Sequence, residues 1–173
     1  MSKELMTPQN AMAAVFRADK HLRVFRPDPS RALEVIQSVQ EDTDFASDDP
    51  QANCIVRCAV CAVTADCYRM LGDVTTAAEW YRRAAGHWKG GLGYSFFYTD
   101  MVVKHGLAGH YRTALECLRH EEEYWRSKPL LYRFYRGLTS LWWLCPSGWG
   151  QRLRERSLVP KLEALIQAEE SAG

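Results

Sequence analysis

Three cysteines at a regular spacing are the first residues whose type is suited to chemistry. Cys54, Cys58 and Cys61 form a Cys-x-x-x-Cys-x-x-Cys pattern, a spacing at which three thiolates can hold an iron–sulfur cluster. In a helix the same spacing places three small side chains on one stripe that packs against a neighbour. No fourth ligand lies at a spacing that would help to bind zinc. We expect structural thiols without a metal or cofactor, and keep a cysteine-ligated metal or iron–sulfur protein as an alternative.

A second group of residues, histidines near a run of glutamates, could supply metal ligands or an acid–base pair. His120 is followed by three consecutive glutamates at 121–123. Consecutive residues fan around a helix instead of converging, so this run indicates a solvated helix end. The sequence carries no nucleophile elbow, phosphate-binding loop or zinc-protease motif. It therefore predicts no catalytic residue and a protein that is not an enzyme.

The totals of the chain describe an ordinary globular protein. Its 173 residues are 47% hydrophobic and 25% charged, with a formal net charge of +1. A length of this order suits one domain, which we expect to span residues 1–173. The even charge balance gives no general attraction to nucleic acid or to an anionic membrane.

The ends of the chain show no targeting or membrane-spanning segment. Residues 1–10 lack an apolar run of signal-peptide length, and the apolar run at 141–145 is far too short to cross a bilayer. Four cysteines crowd into one helical segment, which favours reduced thiols. We therefore expect a cytoplasmic protein with no membrane partner.

Proline and glycine divide the sequence into segments of helical length. Asp49-Pro50 has the composition of a helix entry, Gly72-Asp73 ends one helix and starts the next, and the run at 146–150 is interpreted as another break. Between these breaks apolar residues recur at three- and four-residue spacing, which predicts an all-α fold. The predicted helices include 52–71, 74–88, 94–106, 110–126, 129–145 and 157–170.

The segment 65–84 carries the strongest local pattern. Tyr68 lies four residues before Gly72, and Ala77, Tyr81 and Ala84 follow that glycine by five, nine and twelve. This spacing resembles the tetratricopeptide repeat, a pair of antiparallel helices joined by a short turn. The small Ala77 lets the two helices approach closely, and Gly72 ends the first helix.

Weaker copies of this pattern flank the segment. Tyr98, Gly109 and Ala114 fall on the same frame, and His105 takes a place where the repeat family buries an aromatic side chain. A degenerate copy precedes them. The resemblance implies a short α-solenoid of stacked helix pairs with C-terminal capping helices. Its repeat-like units cover about 12–40, 52–88 and 94–126, and its caps about 129–145 and 157–170.

The resemblance also implies a function, the binding of a peptide or helix of another protein by an adaptor or a small chaperone-like scaffold. In that family the groove is lined by first-helix residues outside the packing frame. The candidate groove residues here are Ala59, Ala62, Val63, Asp66, Arg69, Thr99, Asp100 and Val103.

The C-terminal region offers an alternative contact face, because aromatic residues and arginine are enriched in binding hot spots. Its candidates are Arg136, Trp149 and Arg152. An RNA-binding helical repeat is a further alternative function, although the charge balance disfavours a nucleic-acid partner. The sequence does not decide between a monomer and a homo-oligomer.

Overall fold

The computed structural model describes residues 6–39, 49–87, 94–127, 129 and 146–172. These residues form seven α-helices and no β-strand, so the all-α prediction is confirmed for them. Contacts divide the chain into two compact units, Met1–Trp88 with the first four helices and Lys89–Gly173 with the last three. The single domain over 1–173 stays a prediction.

Each of the first three helices begins with the same local device. The helices are α1 (Pro8–Leu22), α2 (Pro29–Ile36) and α3 (Pro50–Leu71). A proline occupies the first turn, where a missing N–H costs nothing, and the preceding residue caps the helix with its side-chain oxygen. Asp49 accepts hydrogen bonds from two backbone amides at the start of α3, as its position before Pro50 predicts.

Helix α3 turns sharply into α4 (Val74–His87). Gly72 ends α3 with φ +86°, in the left-handed region that favours glycine. Asp73 then caps α4 by accepting a hydrogen bond from the Thr76 amide, 3.1 Å away. The Thr76 hydroxyl and amide, as donors to that carboxylate, lower the pKa of Asp73. The helix break predicted at Gly72-Asp73 is therefore confirmed.

The core of the first unit lies where α3 meets α1, α2 and α4. Ala11, Ala18, Ile36 and Val60 are buried in one apolar cluster drawn from the first three helices. On the α4 side, Ala77 and Ala84 are fully buried and Tyr81 is nearly so. Small residues at these positions allow the close approach that the pattern predicts.

The second unit consists of α5 (Tyr94–His105), α6 (Tyr111–Arg126) and α7 (Pro146–Ala172), and each of these helices contacts the other two. Tyr98 and Val102 of α5, Ala114 of α6 and Leu162 of α7 are fully buried. The Tyr98 hydroxyl lies 3.0 Å from Nδ1 of His110. The predicted frame positions Tyr98 and Ala114 thus belong to the core of this unit.

The predicted break at 146–150 is wrong, because α7 begins there. This helix includes the one expected over 157–170 and is longer at both ends. It begins at Pro146 and continues through Gly148 and Gly150. Proline fits the first helical position, and a helix tolerates glycine at about 1 kcal/mol per residue. The helix expected over 129–145 lies outside the described residues, apart from Pro129.

None of the described helices combines the length and apolar character needed to cross a membrane.

Candidate binding site

The cysteine stripe lies on the side of α3 that faces α4. The Cys58 thiol donates to the Ala84 carbonyl at 3.3 Å, and the Cys54 thiol donates to the His87 carbonyl. Cys61 is also fully buried. The i, i+4, i+7 spacing therefore directs these side chains into a helix interface, as expected.

In this structure the Cys54 and Cys58 thiols act as hydrogen-bond donors, whereas a thiol that ligates a metal is a thiolate. Burial, with a smaller contribution from Cys54, raises the pKa of Cys58 from 9.0 to about 12. Burial likewise raises the pKa of Cys67 to about 11, with a contribution from Asp66. Across the described part of the chain, no three His, Cys, Asp or Glu side chains come together as a set of metal ligands.

The histidines are dispersed. His110 contacts Tyr98 at the start of α6. His120, Glu122 and Glu123 are exposed, as the prediction of a solvated run requires. Glu121 is buried, however, and the run lies within α6 and not at its end. His105 is exposed at the end of α5, so its predicted core position is wrong. A polar residue in the last turn of a helix is solvated readily, and Met101 and Val102 supply the burial instead.

The groove candidates of the first unit divide into buried and accessible residues. Ala62 and Val63 are buried, and Ala59 packs against the apolar cluster shared with α1 and α2. Asp66 accepts hydrogen bonds from the Tyr81 hydroxyl at 2.7 Å and from Arg69 at 2.9 Å. Only Asp66 and Arg69 of this set therefore present a charged surface.

The groove candidates of the second unit behave in the same way. Thr99 is fully buried, with its hydroxyl 3.4 Å from the Ala114 carbonyl of α6. Asp100 and Val103 are partly exposed on α5. Burial removes Ala62, Val63 and Thr99 from any open surface, because the helix faces that carry them are already occupied by packing.

The residues of the alternative C-terminal face lie outside the part of the chain whose side chains are described. Arg136 lies outside the described residues. Trp149 and Arg152 lie on α7, and their side chains fall outside the described part.

A cleft that the sequence analysis did not single out lies between α1 and α2. It has a volume of about 690 Å³. One row of lining residues follows the spacing i, i+3, i+4 and i+7 along α1 and ends just beyond it, and a second row does the same along α2. The lining consists of Arg17, Lys20, His21 and Val24, followed by Arg31, Glu34, Val35 and Ser38.

The connection between the two helices fixes the shape of this cleft. The Asp28 amide donates to the His21 carbonyl at 3.0 Å, which closes the turn. The Asp28 carboxylate caps α2 by accepting from the Arg31 amide at 2.9 Å. Arg23 pairs with Asp19 at 2.6 Å on the α1 side. Local hydrogen bonds at both ends of the turn therefore hold α1 and α2 apart at a defined spacing.

The cleft is positively charged. Arg17, Lys20 and Arg31 face one carboxylate, that of Glu34, which forms an exposed ion pair with Arg31. Within the described ranges, Arg17 and Lys20 have no ion-pair partner. Two uncompensated cations on the α1 wall attract a negatively charged group.

Large apolar side chains beside the cleft point into solvent. Phe25 in the connecting turn is 98% exposed, Phe16 on α1 is 67% exposed and Val24 is 45% exposed. Single exposed apolar residues are common, whereas these three lie within ten residues of one another on one hairpin. Two features of the sequence point to this surface. Phe16 and Phe25 are each followed by an arginine, and the lining residues on the two sides of the hairpin recur at the same spacing of i, i+3, i+4 and i+7.

Comparison with protein-family models, with curated proteins and with solved structures gave no match.

Proposed function

We propose that this protein binds another protein, as an adaptor or small chaperone-like scaffold, and that the α1–α2 hairpin is its principal contact surface. The observation that carries the proposal is the exposure of Phe16 and Phe25 on a hairpin whose cationic cleft is lined in part by Val24. Aromatic side chains and arginine supply most of the binding energy at protein interfaces.

The helix-pair organisation supports the same proposal. Tyr68, Gly72, Ala77, Tyr81 and Ala84 stand at the spacing of the tetratricopeptide repeat, and the last three of them are buried where α3 and α4 meet. We propose a tetratricopeptide-like arrangement, whose members bind peptides or helices. A reducing compartment such as the cytoplasm suits the five described cysteines, which form no disulfide.

The test is selective capture of one partner. The tagged protein and its Phe16→Ser/Phe25→Ser variant are expressed in the source cells, and the captured proteins are identified by mass spectrometry. A protein that is enriched by the wild type and lost with the variant is then purified and titrated against both. We expect a loss of at least tenfold in affinity, about 1.4 kcal/mol, with an unchanged circular dichroism spectrum.

The matched control is Phe97→Ser, which removes a 47% exposed phenylalanine from α5 in the second unit. The control should retain the partner. If the double variant binds the purified partner as the wild type does, the hairpin is not the contact surface. If no protein binds the wild type in purified form, the binding function itself is wrong.

A further inference from the structure

We infer that the α1–α2 cleft receives a short acidic segment of a partner protein, one that carries an apolar side chain next to carboxylates. The inference rests on the proposed function and adds the chemistry of the partner. It is drawn from the shape of the cleft, its charge and the composition of its rim.

The shape of the cleft favours a protruding segment. Val24 and Val35 provide apolar surface on opposite walls, one from each side of the hairpin. The volume of this open cleft, about 690 Å³, lies within the range of roughly 300–1,000 Å³ found for ligand-binding clefts. A flat bilayer surface cannot enter a concavity of this kind, whereas one apolar side chain of a peptide reaches both valines.

The charge distribution of the cleft indicates which groups of the bound segment lie next to its apolar side chain. Arg17 and Lys20 lie one turn apart on the α1 wall and are both exposed. Arg31 on the opposite wall is already paired with Glu34. The cleft therefore offers two cations on one wall, which fits a pair of carboxylates. A nucleic acid would need a longer row of uncompensated cations to follow its phosphates.

The rim supplies contact area beyond the cleft. Phe25 stands at the end of the hairpin, and Phe16 lies next to Arg17 on α1. Burial of these rings under a bound segment would contribute affinity, while Arg17 and Lys20 would set its orientation and rate of association.

The experiment uses the full chain and three fluorescein-labelled peptides. The first peptide has two leucines flanked on each side by glutamates, the second has glutamine in place of glutamate, and the third has serine in place of leucine. Fluorescence anisotropy should show salt-sensitive binding of the first peptide. The other two peptides should each bind several-fold more weakly.

Charge reversal in the protein provides the second arm. Arg17→Glu/Lys20→Glu should weaken binding of the first peptide by at least tenfold and leave the fold intact, because both side chains are exposed. Arg82→Glu/Arg83→Glu makes the same change in net charge on exposed residues of α4 and should bind as the wild type does.

Three results would overturn the inference. They are no binding of the acidic peptide at millimolar concentration, equal weakening by both charge-reversed variants, and tighter binding of phosphatidylserine vesicles or a single-stranded oligouridine than of the peptide. If one of these results occurs while the native partner still depends on Phe16 and Phe25, the acidic-segment inference fails and the proposed protein-binding function stands.

Discussion

At the residue scale, the first unit contains fully buried cysteine thiols. Cys58 donates to a backbone carbonyl of α4, and burial raises its pKa from 9.0 to about 12. A protonated thiol fits this position as a small apolar group with a weak donor. A thiolate would be placed against a carbonyl oxygen without water, so the native state keeps the proton.

This thiol makes stability depend on pH at the alkaline side. Between pH 9 and pH 12 the unfolded chain loses the Cys58 proton and the native state retains it. The native state then binds more protons, so the free energy of unfolding falls as pH rises, by up to about 1.4 kcal/mol per pH unit for one group. Cys58→Ala should flatten the decline, leaving the contributions of Cys67, whose pKa is raised to about 11, and of Tyr81, whose pKa burial also raises.

Urea unfolding followed by circular dichroism, at steps between about pH 8 and pH 11, measures how steeply the free energy of unfolding falls with pH in the wild type and in Cys58→Ala. An identical slope in the wild type and in Cys58→Ala would show that this thiol is not buried in the native protein.

Ala77 carries a second prediction at the residue scale. It is fully buried where α4 packs on α3, so the three extra carbons of a leucine have no space. Ala77→Leu should lower the free energy of unfolding by about 1–3 kcal/mol. Ala13→Leu is the control, since Ala13 is exposed on α1. Thermal denaturation compares the two variants, and equal melting temperatures would contradict the α3–α4 packing.

At the scale of elements, the turn between α3 and α4 depends on one glycine. Gly72 has φ +86°, and an added Cβ would meet no atom within 4 Å. The cost of a side chain there is therefore conformational and not steric. Gly86 also has open space around its Cβ position, but it lies within α4.

The same chemical change should have opposite effects at these two glycines. Gly72→Ala should destabilise the protein by roughly 1–2 kcal/mol, the cost of a left-handed conformation for an L-residue. Gly86→Ala should stabilise it by up to about 1 kcal/mol, because alanine favours the helix. Urea unfolding of both variants measures the difference. Destabilisation of similar size at both positions would contradict the helix boundary at Gly72.

Helix α7 shows how distant residues organise the second unit. Leu158 and Leu162 are buried on one face of this helix. On its polar face, Glu169 accepts a hydrogen bond from the Gly109 amide at 2.8 Å, close to the start of α6. A carboxylate near a helix N-terminus is stabilised by the helix dipole.

At the scale of the whole molecule, most of the fold could be predicted from helical periodicity. The all-α class, the helices from α3 to α6 and the left-handed Gly72 follow from apolar spacing and turn residues, and the structure confirms them. Such patterns identify a buried face but not the neighbour that buries it. Thr99 illustrates the difference, since it was placed on an open groove and lies buried against α6.

Two further differences concern a helix boundary and the cleft. The helix through Gly148 and Gly150 contradicts their local preference, so breaker residues alone do not set that boundary. The α1–α2 cleft required two helical faces to be placed side by side, which the sequence of neither helix specifies. The stacking of helix pairs across the chain and a groove shared by Arg69 and Val103 stay predictions.

The central claim is that the α1–α2 hairpin binds another protein, and site-specific photo-crosslinking in the source cells tests it most directly. A benzophenone amino acid replaces Phe25, Arg69 or Phe97, one at a time; all three are exposed. Our account predicts that position 25 gives a covalent adduct to one protein, that Arg17→Glu/Lys20→Glu removes this adduct, and that position 97 gives none. Adducts at position 69 without any at position 25 would contradict the account and favour the groove of first-helix residues.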